Sequence, residues 1–257
     1  MATPVDHLEP GDHACLTYTD PVERRDILAA FVADGRRRGE KVITYTGPDR
    51  LWDEGAGPDA KVMVRRLAAE LATAEREGHP GLRITADTCW AARPQANAEQ
   101  LLAFESEVGR LFEAGRLTAI CEYDRESFDP VTLAYAARVH PRTVAATVYH
   151  DDPVLRICRQ HVPPGVRVAG ELDWTRADAL NDALAEAVRL DHDVHLNLNH
   201  LRFIDAGATA VILRVAADLP AARTMVVVCT EAIGRTLSVS GAREIGNLRL
   251  LVRDARG

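Results

Sequence analysis

The sequence predicts an α/β protein of two domains, in which strands and helices alternate along the chain. Short apolar or alternating segments, typical of strands, are separated by longer segments with apolar residues at helical spacing. The run His161-Val162-Pro163-Pro164-Gly165 ends regular structure in the middle of this pattern. A chain of 257 residues has room for two domains of ordinary size. We therefore expect one domain over residues 1–160 and a smaller one over 165–257, each with a parallel or mixed sheet covered by helices.

The elements of the first half have recognisable ends. Asp20 is placed to cap the first helix, Pro21 suits its first turn, and Gly39 follows its last residue. The later run 117–123 is mostly apolar, as in a buried strand. We predict strands over 14–18, 42–45, 82–85, 117–123 and 143–149, and helices over 22–38, 98–114 and 131–139.

The second half shows clearer periodicities. Apolar residues at 177, 180, 184 and 188 fall on one face of a helix, and residues 196–205 alternate between apolar and polar, the period of a half-buried strand. The segment 170–173, which begins with glycine, is predicted to be a turn. We predict strands over 166–169, 195–203, 225–229 and 248–252, and helices over 176–188, 210–217 and 231–238.

The composition argues against several classes of function. The formal net charge of −7 favours no basic surface, so neither nucleic acid nor an anionic membrane is an expected partner. No apolar segment approaches the roughly 20 residues of a membrane-spanning helix, and the N-terminal residues lack the apolar core of a signal peptide. Five cysteines are scattered without Cys-x-x-Cys spacing, which is typical of a reduced cytoplasm. We expect a soluble cytoplasmic protein.

The segment Asp205-Ala206-Gly207-Ala208-Thr209 links the alternating strand to an apolar helix. Together with the upstream Val168-Ala169-Gly170-Glu171-Leu172-Asp173, it resembles the STAS domain of anti-sigma-factor antagonists. In that family a serine after the aspartate is phosphorylated by a partner kinase, but Ala206 and Gly207 carry no hydroxyl. The resemblance implies that Asp205, Ala206, Gly207 and Thr209 lie on a surface that binds an anti-sigma factor or a related regulatory kinase or protein. Asp205 is also expected to cap the following helix.

Four segments of the first half resemble the MEDS sensory domain of bacterial and archaeal regulators. They are Gly11-Asp12-His13-Ala14-Cys15, Gly39-Glu40-Lys41-Val42, the run from Cys121 to Pro130, and His140-Pro141. The resemblance implies a core similar to RecA-like ATPases and a sensory role for a small, apolar ligand. The expected fold is thus α/β, with a RecA-like parallel or mixed sheet in the N-terminal domain and a smaller STAS-like α/β domain.

A nucleotide site of the RecA type needs a glycine-rich loop after the first strand, and this chain has none there. Residues 18–25 contain no glycine, include Pro21, and carry the carboxylates Asp20 and Glu23, which would repel phosphate. Gly-x-Ser-x-Gly is also absent, and no cysteine is singled out as a nucleophile. We therefore expect no enzyme and no catalytic residue. The alternatives are a degenerate RecA-like enzyme that uses nucleotide without this loop, and a pure protein-interaction scaffold.

Polar residues near the predicted strands are candidates for a ligand pocket. His13 and Cys15 face the same side of a strand, and residues at the carboxyl ends of strands lie where open α/β sheets bind ligands. Core packing and a metal or redox site are alternatives for the histidines and cysteines, but no spacing supports a metal, and we expect no cofactor. The candidate ligand residues are His13, Cys15, Tyr18, Cys121, Glu122, Tyr123, Asp124, Arg125 and His140.

Overall fold

A computed structural model describes residues 3–45, 59–92 and 98–253 of the chain. The chain divides into two compact units, Met1–Ala145 and Ala146–Gly257. The expected fold class is confirmed, because each unit has a sheet with helices packed against it. No described helix combines the length and the apolar character needed to cross a membrane.

The first unit is built on a parallel sheet. Its described strands lie in the order β2-β3-β4-β1-β5, and each neighbouring pair is parallel. The strands are β1 His13–Tyr18, β2 Lys41–Tyr45, β3 Leu82–Asp87, β4 Leu117–Asp124 and β5 Arg142–Val144, and the helices are α1 Pro21–Arg37, α2 Ala60–Arg76, α3 Ala98–Val108 and α4 Pro130–Val139.

Local sequence explains both the buried strands and the helix ends of this unit. Nearly every residue of β3 and β4 is buried, as expected for central parallel strands covered on both faces. Asp20 caps α1 as predicted, because its carboxylate accepts hydrogen bonds from the backbone N–H groups of Val22 and Glu23. Asp129 caps α4 in the same way. These caps fix how the chain leaves β1 and β4.

The second unit has a mixed sheet in the order β11-β10-β9-β8-β7-β6. The strands from β8 to β11 are parallel, whereas β7 and β6 form antiparallel pairs at one edge. The strands are β6 Val148–Asp151, β7 Leu155–Gln160, β8 Gly165–Leu172, β9 Val194–Ile204, β10 Met225–Cys229 and β11 Leu248–Val252, and the helices are α5 Ala177–Leu190, α6 Ala206–Ala217 and α7 Glu231–Val239.

The division between the units lies earlier than the boundary predicted near residue 160. The predicted closing strand over 143–149 is two strands in the structure, β5 in the first sheet and β6 in the second. The hairpin of β6 and β7 belongs to the second unit because β7 pairs along its length with β8. The proline–glycine run is thus a turn within the second sheet.

The turn predicted at 170–173 is wrong, since β8 continues to Leu172. Gly170 has a φ of 106°, and a Cβ at this position would lie 2.0 Å from the carbonyl oxygen of Val154. The glycine is needed for this close backbone approach between neighbouring strands.

Candidate functional site

Five buried side chains from four elements of the first unit meet at one place. His13 begins β1, and Cys121 and Tyr123 lie two residues apart on the adjacent β4, so they share a face of the sheet. Glu105 comes from α3, and His140 is the residue that ends α4. We call these five residues the buried cluster. Each of them is at most 6% exposed.

Hydrogen bonds orient the outer groups of the buried cluster. The Tyr123 hydroxyl donates to Oε1 of Glu105 at 2.7 Å. Nδ1 of His140 lies 2.8 Å from the carbonyl oxygen of Ala136, so its N–H donates there and Nε2 is left to face the centre of the cluster. The His13 ring stacks on Phe112, with the ring centres 4.2 Å apart. The side chains are therefore held by contacts outside the centre of the cluster.

The centre of the buried cluster brings nitrogen, oxygen and sulfur atoms close together. Oε2 of Glu105 lies 3.6 Å from Nε2 of His13 and 3.5 Å from Nε2 of His140. The Cys121 sulfur lies 3.5 Å from Nε2 of His13. The two Glu105–His distances are too long for strong hydrogen bonds. Within the described residues, Oε2 of Glu105 and Nε2 of His140 have no hydrogen-bond partner.

Burial sets the protonation of the cluster. Desolvation, with His140 nearby as a second cause, lowers the pKa of His13 from 6.5 to about 2, so its ring is neutral at neutral pH. Desolvation raises the pKa of Glu105, and it raises the pKa values of the Cys121 thiol and the Tyr123 hydroxyl well above their ordinary range. The cluster is thus a group of buried donor atoms without an ionised thiol of its own.

A second group of polar residues lies on the opposite face of β4 and at the strand ends. Arg24 of α1 donates through Nε to Oε2 of Glu122 at 2.5 Å, and its guanidinium lies over the Tyr18 ring, 5.0 Å from the ring centre. Asp87, the last residue of β3, lies 3.9 Å from the same guanidinium. Burial raises the pKa of Glu122 from 4.5 to about 7, against the opposing attraction of Arg24. Burial likewise raises the pKa of Tyr18.

The nine predicted ligand residues therefore lie in more than one group. Four of them belong to the buried cluster, and Tyr18 and Glu122 belong to the group around Arg24, because neighbouring residues of a strand face opposite sides. The Cys15 sulfur contacts the Thr143 hydroxyl at 3.6 Å. Asp124 accepts hydrogen bonds from Glu126 and Ser127 in the following loop, and Arg125 donates to Thr17.

Sequence reasoning missed Glu105 and Arg24. A signal for Glu105 was available, because it lies four residues after Leu101 and three before Val108, on the buried face of α3. A carboxylate on the apolar face of a helix needs a partner of its own. Arg24, in the second turn of α1, gave no such signal.

The first unit also carries an open apolar pocket of about 410 Å³ between α3 and α4. Its volume falls in the range of small-molecule sites. None of the nine predicted ligand residues lines it. The lining residues are Leu102, Pro130, Val131, Thr132, Ala134, Tyr135 and Arg138.

In the second unit, Asp205 organises the loop between β9 and α6. One carboxylate oxygen accepts from the backbone N–H of Ala208 at 2.8 Å, which confirms the predicted cap, and the other accepts from the N–H of Trp174 at 2.8 Å. Trp174 is 73% exposed, and Ala206 and Gly207 are exposed beside it. Thr209 is 1% exposed, so its predicted place on the binding surface is wrong. The first turn of α6 directs its side chain inward.

Comparison with known families assigns both parts of the chain. Residues 48–141 match the model of the MEDS family, described as the methanogen/methylotroph, DcmR sensory domain. Residues 156–251 match a model described as the Mlab, STAS domain. Among curated proteins, none matches the chain. The chain thus joins an N-terminal MEDS domain to a C-terminal STAS domain.

Proposed function

We propose that this protein is a signalling regulator, in which the MEDS domain senses a ligand and the STAS domain binds an anti-sigma factor or a related regulatory kinase. The observation that carries the proposal is the exposed Trp174 side chain, whose backbone is fixed to the Asp205 loop. Exposed tryptophans beside an ordered loop are typical of the central residues of protein interfaces. The absence of Cys-x-x-Cys spacing agrees with a reduced compartment, and we propose the cytoplasm.

The loop is prepared for binding without phosphorylation. Ala206 and Gly207 are exposed but have no hydroxyl, and the Thr209 hydroxyl is buried. A kinase cannot reach Thr209 unless α6 opens. Control of this surface then comes from elsewhere, and we propose that ligand binding to the MEDS domain shifts the population between a binding and a non-binding state. Equal partner affinities with and without ligand would contradict this coupling.

The ligand side of the proposal rests on the apolar pocket between α3 and α4. Val131 in its lining is 78% exposed, so the pocket presents apolar surface to solvent. A small apolar ligand would cover that surface and gain about 25 cal/mol for each Å² removed from water. Substituting Val131→Asp places a charge there and tests whether ligand binding depends on this pocket.

The partner is tested by purifying the tagged protein from a lysate of its host and measuring direct binding of the recovered regulator. The disrupting variant is Ala206→Glu, which places a charged side chain on the loop. The matched control is Ala232→Glu, an exposed alanine in the first turn of α7 of the same unit. We expect the wild type and Ala232→Glu to bind and Ala206→Glu to lose binding. Undiminished binding by Ala206→Glu would remove the loop from the docking surface.

We propose no enzymatic activity. Arg24 and three nearby carboxylates, Asp20, Asp87 and Glu122, occupy the region after β1 where a phosphate-binding loop would be needed. The high pKa of the Cys121 thiol also argues against a cysteine nucleophile. A ligand that binds only the native state raises its melting temperature. A rise with ATP, ADP or GTP would support the nucleotide-using alternative instead.

A further inference from the structure

The buried cluster brings four possible metal ligands close enough together to surround one ion. Four side chains, His13, Glu105, Cys121 and His140, each offer one donor atom, and these atoms all lie within 4.8 Å of one another. Zinc bonds of about 2.0 Å to nitrogen or oxygen and about 2.3 Å to sulfur give tetrahedral edges of about 3.3 Å between two nitrogen or oxygen ligands and about 3.5 Å between one of these and sulfur. Three of the six separations between donor atoms are 3.5 to 3.6 Å, close to these edges, and the other three are at most 4.8 Å.

The unpaired atoms of the cluster point to a ligand. Oε2 of Glu105 and Nε2 of His140 face each other at 3.5 Å on side chains that are 0% exposed. Neither atom has a hydrogen-bond partner in the described parts of the chain. Polar atoms left unpaired in an apolar interior lose the hydrogen bonds that water would supply, so they are unfavourable without a partner. A cation between them would accept a lone pair from each.

The surroundings of the four donors also suit a metal. His140 donates its other ring N–H to the Ala136 carbonyl, and Glu105 accepts at its other oxygen from Tyr123. Metal-bound histidines and carboxylates are commonly oriented by such outer hydrogen bonds. His13 directs Nε2 toward both the Glu105 carboxylate and the Cys121 sulfur, as a metal-binding histidine would.

We propose that His13, Glu105, Cys121 and His140 bind a single divalent cation of the zinc type. The mixed nitrogen, sulfur and oxygen donors favour zinc over magnesium or calcium, which prefer six or more oxygen ligands. Binding forms a sulfur–metal bond and releases the Cys121 thiol proton to solvent, together with any proton held by Glu105. Four protein ligands complete a tetrahedral site, so the ion has a structural or sensory role. This proposal is independent of the partner proposed for the STAS domain.

The test uses the full chain, purified under reducing conditions with a tag that contains no histidine. Metal content is measured by elemental mass spectrometry, and Co²⁺ and Zn²⁺ are titrated separately into the metal-stripped protein. We expect one equivalent of bound metal, a thiolate-to-cobalt charge-transfer absorption, and loss of that absorption when Zn²⁺ is added. We also expect Zn²⁺ to raise the melting temperature.

Variants assign the ligands. Cys121→Ser is expected to abolish the charge-transfer absorption, whereas Cys15→Ser, which changes a buried cysteine at the paired position of β1, is expected to retain it. Tyr123→Phe removes an outer hydrogen bond and is expected to weaken metal binding about 10–100-fold while keeping the absorption. Circular dichroism confirms that each variant is folded.

Two results would overturn the proposal. One is that folded wild-type protein takes up no stoichiometric Co²⁺ or Zn²⁺, a measurement that needs no variant. The other is that the absorption survives in Cys121→Ser but disappears in Cys15→Ser. Either result would mean that the cluster is a group of buried, hydrogen-bonded side chains that does not bind metal. Because the readout is bound metal, neither result bears on partner binding.

Discussion

Ionisation of Glu122 is expected to lower the free energy of unfolding as pH rises. Its pKa is 4.5 in the unfolded chain and about 7 in the folded protein, so the native state holds a proton that the unfolded state has lost between these values. Stability therefore decreases across this window, and the difference in pKa corresponds to about 3 kcal/mol at 1.36 kcal/mol per tenfold change. Burial of the carboxylate causes the effect, and Arg24 reduces it.

The assay is urea unfolding of the wild type and Glu122→Gln from pH 4 to pH 8. The contributions of other titrating groups cancel when the free energy of unfolding of the variant is subtracted from that of the wild type. The stability of the wild type relative to Glu122→Gln should fall by about 3 kcal/mol over this range. When both proteins also carry Arg24→Met, the fall should be larger, because Arg24 no longer lowers the pKa of Glu122. A difference that stays constant with pH, or that rises, would refute the reasoning.

Three further predictions concern stability. Gly35→Ala should lower the free energy of unfolding by about 1–3 kcal/mol in chemical denaturation, because the added Cβ would lie 2.4 Å from Cδ of the buried Arg83. The control is Gly109→Ala, whose added Cβ would have no other atom within 4 Å. In the metal-stripped protein, His13→Gln should flatten the acid side of the stability profile, because the low pKa of His13 makes the free energy of unfolding fall as pH drops below 6.5; an unchanged profile would contradict this. Asp205→Ala should cost about 1–2 kcal/mol in the same unfolding assay by removing two backbone hydrogen bonds, whereas Trp174→Ala, at an exposed position, should change stability by less than about 0.5 kcal/mol.

The sequence was sufficient for the fold class because local signals determined most elements. Asp20 and Pro21 marked the start of α1, and the alternation at the start of β9 indicated which of its residues face the core. The edge hairpin of β6 and β7 was missed because its residues have no clear period and are placed by pairing with β8. Gly170 was assigned to a turn because glycine is typical of turns. A close approach of two backbone segments also requires glycine, and the sequence alone does not distinguish the two cases.

The candidate site was predicted only in part, because its members come from separated elements. His13, Cys121 and His140 were selected from their own strands and helix ends, yet the residue that joins them is Glu105 of α3. Spacing rules detect metal ligands that lie a few residues apart, and here 92 residues separate His13 from Glu105. The parallel pairing of β1 with β4 brings His13 close to Cys121, and the packing of α3 against the sheet adds Glu105. Both arrangements are properties of the fold.

Gly207 allows the docking surface to be tested without removing any of its side chains. A Cβ at this position would lie 3.0 Å from Cβ of Trp174 and 3.4 Å from a carboxylate oxygen of Asp205. In Gly207→Ala the exposed Trp174 is free to move outward by a few tenths of an ångström, and alanine favours the first turn of α6 by up to about 1 kcal/mol. We therefore expect thermal unfolding to show unchanged or slightly raised stability, and calorimetry to show weaker binding of the partner recovered with the wild type. Full affinity in this variant would mean that the position of Trp174 does not determine binding, whereas a loss of stability would mean that the loop cannot adjust to the added methyl group.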